Sequence, residues 1–530
     1  MVAHTLMKPV PGNSSAAARS KRRHCIWGVM VSVITLVSFH NFCKSFESFQ
    51  SSGDVGSAES LDTKRLQMYP FGIPHYQKAI HHLVQEEEKV EPAKWTPSKG
   101  SKDECLYARD YGLIQRLRNT SRSFCTQGGN SSSPYTFYHV SDAGVSATLL
   151  ENFVLDVRGA QVAKDIDSLA DDGGNHDPRF KYMKNATFCS CSQPQDHAHG
   201  APNIWKEFFV GGPGDNDPTC KTDTVDRAVN DTMTLKQAVV LVRRDDHNPF
   251  FQISGILNAW IMVQTIGWER DSTQLVTFDR ALPTPVDELR HALLGPERLI
   301  ISGEEFQHRV VHFESALLAP YEVTGPLMSH LDDNQPCYDN AMIKDFRDLA
   351  LKSLRVTPRD GKSDPQRCLV TVISRRPYGG RRVQRQWRNE AEILQRMREE
   401  YQDAYRFGEC EFQSLELTSM TMHDQMKSML DSDVVIGMHG AGMVNAMWTR
   451  PGTLVIEIFP RRRFRWGYRN ICQFVGCKWH DFRRGRDIKI HTTLSTDMDK
   501  IIPYPEWKSF FDPLFQNVVD ELEWKVKKLS

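Results

Sequence analysis

Short, mostly apolar runs recur through the second half of the chain. Residues 369–373, 433–437 and 453–458 are such runs, the pattern a parallel strand buried on both faces requires. Between them the apolar positions change to helical spacing. Ile393, Leu394, Met397 and Tyr401 mark one helix face, and Met422, Met426, Met429 and Leu430 mark the next. Residues 412–417 read as a further strand, and Leu514, Val518, Leu522, Val526 and Leu529 predict a closing helix. Upstream, residues 238–242, 275–278 and 310–318 predict strands and 253–265 a helix. Strands alternating with helices make an α/β fold. The stretch 353–366 holds Pro358, Gly361 and Pro365 without periodicity, which predicts a linker between two such series. Residues 103–235 are irregular, and no internal repeat is present.

The amino terminus follows a different pattern. Residues 1–24 are polar and end in Lys21-Arg22-Arg23-His24, and residues 25–43 are apolar. A run of this length just spans ~30 Å of hydrocarbon, which takes ~17–25 helical residues. Positive charge on its amino-terminal flank keeps that end in the cytosol. The expectation is a single-pass type II anchor, with a cleaved signal peptide as the rival. A short span suits the thinner membranes of the Golgi or ER; Golgi is the first expectation and ER the second. Residues 44–102, rich in Ser, Glu, Lys and Gln, read as a stem. Sequons at Asn119, Asn130, Asn185 and Asn230 all follow the anchor, as do ten cysteines, an even set compatible with disulfides in an oxidising lumen. Lys plus Arg (66) equals Asp plus Glu (66), so no net basic character points to a nucleic-acid partner.

Chemistry concentrates in the second α/β series. The segment Asp433-Val-Val-Ile-Gly437-Met-His439-Gly440-Ala441-Gly442 is strand, glycine-rich turn and helix start. In an open parallel sheet ligands bind beyond the carboxyl ends of the strands. There, backbone N–H groups and a helix start favour an anion such as a diphosphate. His439 is placed to donate to a phosphate, or to be a packed histidine in a tight turn. Glu457 lies inside the apolar strand 454–458; a carboxylate there needs hydrogen bonds, which a ribose diol or the protein itself can supply. Arg375 and Arg376 follow strand 369–373, at the edge where guanidinium groups can clamp a diphosphate. Asn389-Glu390 opens the next helix, and Arg461, Arg462, Arg463 and Arg465 form a dense basic patch. No Asp-x-Asp stands at a strand exit as a metal-dependent transferase fold needs: Asp431-Ser-Asp433 precedes its strand, and Asp215-Asn-Asp217 and Asp165-Ile-Asp167 follow no apolar run. Cys189-Ser-Cys191 with His197 and His199 has zinc-like residue types, but a lumenal setting favours disulfide and loop histidines.

These residues together, from Ser374-Arg375-Arg376 through Asn389-Glu390 and His439-Gly-Ala-Gly442 to Pro451-Gly452 and Glu457, resemble glycosyltransferase family 61. That family includes plant β-1,2-xylosyltransferases of N-glycans, plant xylan-decorating enzymes and secretory-pathway O-linked N-acetylglucosaminyltransferases. The resemblance covers roughly residues 235–480. It implies a GT-B-like α/β architecture in which two Rossmann-like domains face a cleft, an inverting mechanism and no bound metal. Carried over residue by residue, Arg375, Arg376, His439, Gly440, Ala441, Gly442 and Glu457 form the nucleotide-sugar set. The expected organisation is a cytosolic tail (1–24), an anchor (25–43), a stem (44–102), an acceptor-side domain (103–352), a nucleotide-sugar domain (366–500) and a closing helix (501–530). The chain departs from the family where a His and an Asp are common four residues apart: Phe251 and Gly255 stand there. Asp245, Asp246 and His247, just upstream, are the substitute candidates for the general base that inversion requires. The resemblance implies transfer from a UDP-sugar to a glycan or glycoprotein hydroxyl, with xylose first and N-acetylglucosamine second. A lumenal glycan-binding protein that kept the fold without catalysis is the alternative.

Overall fold

The computed structural model describes residues 102–124, 135–140, 145–158, three two-residue strands between 161 and 188, and 232–529 with short interruptions, among them 244–247, 360–366, 378–382, 464–467 and 490–496. The predicted anchor 25–43 lies outside the described residues, as do Asn130, Asn185 and Asn230. The described chain begins with helices α1 (Lys102–Arg109) and α2 (Gly112–Asn119); Asn119 is exposed at the end of α2. Strands β1 (Arg122–Phe124), β2 (Tyr135–Val140) and the long β3 (Val145–Asp156) follow, then β4 (Gln161–Val162), β5 (Phe180–Lys181) and β6 (Thr187–Phe188). Strand β7 (Thr232–Leu241) leads into helix α3 (Pro249–Ile266), β8 (Gln274–Thr277), helix α4 (Val286–Leu294) and β9 (Val310–Leu318).

These strands form one sheet in the order β1-β2-β3-β9-β7-β8, with β6 on β3. The family resemblance implies a Rossmann-like domain in this half, and the structure corrects it. β1, β2, β3, β6 and β9 pair antiparallel, and only β9-β7 and β7-β8 are parallel. The reason is the connections: parallel neighbours need a crossover of a dozen or more residues, and only α3 and α4 supply one here. Helix α3 is buried on nearly every face, which explains its lack of amphipathic periodicity. The Asn248 side chain accepts hydrogen bonds from the N–H groups of Phe250 and Phe251, and Pro249 occupies the first turn. The helix ends at Gly267, whose φ of 76° only glycine adopts readily.

The second half meets the expectation of a parallel sheet. After helix α5 (Ala341–Ser353) come β10 (Arg367–Ile373), helix α6 (Glu390–Tyr401), β11 (Glu409–Leu415), helix α7 (Met422–Asp431) and β12 (Val434–Met438). A 3₁₀ helix (Ala441–Trp448), β13 (Leu454–Ile458), helix α8 (Arg469–Val475), β14 (Lys478–Phe482), the pair β15 (Arg486–Ile488) and β16 (Asp499–Ile501), and helix α9 (Tyr504–Leu529) complete it. The sheet order is β11-β10-β12-β13-β14, all parallel. The chain winds outward from β10 to β11 and then crosses back to β12, so the topological switch point lies between β10 and β12. In the predicted linker, the described part is tied to the second sheet: Arg359 pairs with Asp433 at 2.7 Å.

Alternation along the parallel strands divides the core. Val434, Ile436, Leu454, Ile456 and Ile458 pack with Ile393, Met397 and the closing helix α9. Val435 and Val455 turn the other way, into a cluster that includes Met426, Trp448, Ile253, Trp260 and Val239. One continuous apolar core therefore runs from the second sheet through α7, the 3₁₀ helix and α3 to the first sheet. Disulfides join Cys105 to Cys337, Cys368 to Cys410 across β10 and β11, and Cys472 to Cys477. Helix α9 is anchored by Trp507, which is fully buried and packs on Trp387, Phe482 and Phe511 at centroid distances of 5.2, 5.3 and 5.6 Å. Trp507→Ala is expected to cost about 3–5 kcal/mol of stability, read as a shifted denaturant midpoint; an unchanged midpoint contradicts this anchoring.

Candidate functional site

The carboxyl ends of the parallel strands bring the chemistry-bearing residues to one rim. Arg375 leaves β10, His439 leaves β12, and Arg463 follows β13 across the switch point. Glu457, on β13, faces Gly437 of β12 in register and shares the face that Val455 presents to the first half of the molecule.

Glu457 is fully buried, and the protein itself meets its need for donors. One carboxylate oxygen lies 2.5 Å from Nδ1 of His439. The other accepts from the Tyr468 backbone N–H and from the Trp479 indole N–H, each at 2.9 Å. Burial with three donors is what makes a carboxylate tolerable in such a strand. It also places Glu457 behind His439; of the two partners the sequence left open, a ribose diol or the protein itself, the donors present are the protein's own. His439 is 3% exposed; its ring stacks on Phe459 at 4.7 Å and lies 5.9 Å from the Tyr468 ring. A carboxylate only accepts, so Nδ1 carries the hydrogen. Burial holds the imidazole pKa below its ordinary value against the pull of Glu457, and the charges of Arg385 and Arg463 add to the lowering. The neutral ring thus presents its other nitrogen, Nε2, as an acceptor.

Gly440 follows in extended conformation, and its glycine identity has a steric cause. A Cβ there would lie 2.1 Å from Nη1 and 2.6 Å from Cζ of Arg375. The Arg375 guanidinium rests on the backbone of the turn, with Nε and Nη2 toward the Gln384 carbonyl at 3.4 and 3.3 Å. Gly442 differs: a Cβ there meets only ordinary contacts of 3.6 Å or more. Ala441 opens the 3₁₀ helix, which replaces the α-helix start expected after the turn. Arg376 is directed elsewhere, toward Glu390 at 3.4 Å and Glu416 at 3.6 Å, so its charge is already matched by two carboxylates. Glu390 is buried and also accepts from Ser374 and Ser414.

Two arginines that the motif reading did not assign to the site are brought beside His439. Arg385 and Arg463 both pair with Asp497, at 2.5 and 2.7 Å, so among the described residues one carboxylate holds both guanidiniums together. Arg385 has φ of 59°, a left-handed conformation uncommon outside glycine. Its neighbour Gln386 is held by its N–H to Asp499 at 2.8 Å, and Arg388 reaches the same carboxylate at 2.6 Å. Arginine density between 375 and 388 was the available signal for Arg385. Asp497 had none, since its role depends on a fold-back of more than a hundred residues. Arg483 covers the Phe459 ring at 4.2 Å, adding a third cation behind the histidine.

The first half contributes the start of α3: Phe250 meets Tyr468 edge-on at 5.5 Å. Phe251 is half-buried and Gly255 buried at the positions where a His and an Asp were looked for. Asp245, Asp246 and His247 lie outside the described residues. The strand end just before them is fixed by Arg243, paired with buried Asp279 at 2.7 Å. A separate cavity of about 350 Å³ lies at the opposite end of the second sheet, beside the first residues of β13 and β14, away from this rim.

Residues 229–456 match the family model described as Glycosyltransferase 61. No curated protein matches the chain. The matched stretch runs from the start of β7 into β13 and includes Arg375, Arg385, His439 and Gly440. It makes the chain a glycosyltransferase.

The steric relation at the turn gives a direct test. Gly440→Ala is expected to displace the Arg375 guanidinium and weaken binding of the sugar donor at least about tenfold, ~1.4 kcal/mol, with little change in thermal stability. Unaltered affinity in titration calorimetry would show that Arg375 does not act through this contact.

Proposed function

We propose that this glycosyltransferase moves a sugar, xylose or N-acetylglucosamine, from a UDP-sugar to a hydroxyl of a glycan or glycoprotein, with inversion at the anomeric carbon. The observation that carries the reading is the rim at the switch point. There Arg375 lies on Gly440, and Arg385 and Arg463 stand beside His439 with one shared carboxylate between them. Strand ends at a switch point are where open α/β sheets take ligands, and guanidiniums gathered at one rim suit an anion.

In the proposed reaction the acceptor oxygen forms its bond to the anomeric carbon on the face opposite the diphosphate. The bond from that carbon to the phosphate oxygen breaks, and its electron pair leaves on UDP. The acceptor's proton passes to a base, for which Asp245, Asp246 and His247 remain the candidates in this reading. Charge growing on the diphosphate is met by the arginines, an arrangement that lowers the barrier only as far as it is preorganised; the hydrogen bonds that Arg385 donates to Asp497, the Gln386 N–H to Asp499 and Arg375 to the Gln384 carbonyl supply that order. Cationic side chains in this role support a reaction without a bound metal.

The proposal extends to place. Three disulfides among the described residues suit an oxidising compartment, and the basic flank before the apolar run 25–43 suits a type II anchor. A Golgi membrane with the catalytic body in the lumen follows, with the ER second. Asn119, exposed and beside Thr120 and Ser121, is accessible to glycosylation there.

Incubation of the purified protein with a panel of UDP-sugars and glycan acceptors, with and without chelator, is expected to release UDP in both conditions. Release abolished by chelator, or none with any donor, overturns the reading. His439→Ala is expected to lower turnover at least about tenfold, ~1.4 kcal/mol on the barrier; normal turnover in a folded variant would make the histidine a packing residue.

A further inference from the structure

We infer that Glu457 is a positioning residue that fixes the tautomer of His439, so that the histidine meets the donor's diphosphate as a cation formed only on binding. The inference rests on the proposed anion site and assigns the proton inventory of that site.

The geometry carries it. Nδ1 of His439 is committed to Glu457 at 2.5 Å, and one ring face is committed to Phe459. Nε2 has no hydrogen-bond partner among the described residues, and it is the ring nitrogen left for a ligand. Glu457 cannot turn away, because Trp479 and the Tyr468 backbone hold its second oxygen. With Nδ1–H fixed, a neutral ring offers a lone pair at Nε2, and a lone pair repels a phosphate oxygen. A phosphate oxygen at Nε2 therefore requires a proton there.

The charged groups around the ring among the described residues bear on that requirement. Glu457 on β13 favours the cation. Arg463 after β13, and Arg385 in the segment between β10 and α6, oppose it. Arg375 beside Gly440 and Arg483 beyond Phe459 add positive charge, and Asp497 and Asp481 pair with these neighbours. In the free protein the cations and burial outweigh Glu457, and the ring is held neutral. A diphosphate carries negative charge into the same place and reverses the balance. Binding then draws one proton from solvent, moving to Nε2 without any bond made or broken in the donor.

Linkage fixes the sign. A site that takes up a proton on binding loses affinity as pH rises. Glu457→Gln separates positioning from structure. The glutamine carbonyl can still accept from Trp479 and Tyr468, while its NH₂ group donates to Nδ1. That exchange moves the ring hydrogen to Nε2 in the neutral form, so the variant meets a phosphate without taking up a proton.

The test is calorimetric titration of the full chain with UDP-xylose and UDP-N-acetylglucosamine, whose diphosphates do not titrate near neutrality, in buffers of different ionisation enthalpy from pH 6.5 to 8.5. The wild type is expected to take up a proton and to lose affinity by up to about tenfold per pH unit. Glu457→Gln is expected to bind with no uptake and a flat profile. His439→Gln, which offers a neutral N–H, is expected to be flat as well and serves if Glu457→Gln does not fold. A flat wild-type profile, or equal slopes in wild type and either variant, overturns the inference while leaving the anion site intact. No binding by the wild type overturns the site itself, and the inference with it.

Discussion

A buried carboxylate in a five-residue apolar strand is the constraint around which the second half of this molecule is arranged. Glu457 has to find donors inside the protein, and each donor it finds fixes a separate element. His439 fixes the end of β12, Trp479 fixes β14, and the Tyr468 backbone fixes the entry to α8. Three elements at the carboxyl edge of the sheet are thereby held to one point. The glycine-rich turn grows from that point, and Arg375 lies on it because Gly440 has no side chain to prevent the approach. The anion site proposed above draws on these internal obligations.

The two halves of the chain play unequal parts. The parallel sheet places the cations at a switch point. The mixed sheet delivers α3, whose first turn reaches Tyr468 through Phe250. Because α3 is buried on almost every face and shares one apolar core with the 3₁₀ helix, it is poorly suited to sliding. Its contact with Tyr468 connects the first half to the same carboxylate, since the Tyr468 N–H is one of Glu457's donors. The arginines are held by acidic residues from the far end of the chain: Asp497 and Asp499 return through β16 to pin Arg385, Arg388 and Arg463. Charge at the rim is therefore fixed in place by contacts of long sequence separation, at the entropic cost of closing those loops.

How much of this was legible in the sequence follows from the range of each interaction. Strands 369–373, 433–437 and 453–458 are doubly buried, and continuous apolar runs announce them; the structure places β10, β12 and β13 within a residue or two of those limits. The closing helix announced itself by its 3.6-residue stripe. In the first half the strands are partly exposed and their pairing is decided by connections, so apolar runs at 238–242 and 275–278 announced an α/β layer, and the second Rossmann-like domain implied by the family resemblance is not what the antiparallel β1, β2, β3 and β9 form. At the rim, His439 and Arg375 stood out because short-range turn chemistry singles out residues after strands. Arg376 looked equivalent to its neighbour, yet Glu390 and Glu416 from other elements claim it. Glu457 was visible as an anomaly, but its partners were not, because a hydrogen bond to Trp479 depends on two strands lying side by side.

The central claim is that a nucleotide diphosphate docks at the carboxyl ends of β10, β12 and β13. Photolabelling the protein with an azido-substituted UDP-sugar and mapping the modified peptides tests it most directly. Label in the segments 374–388 and 439–449, suppressed by excess unmodified UDP-sugar, is the predicted result. Label confined to the cavity beside β14 and α9, or spread over the surface without competition, would contradict it.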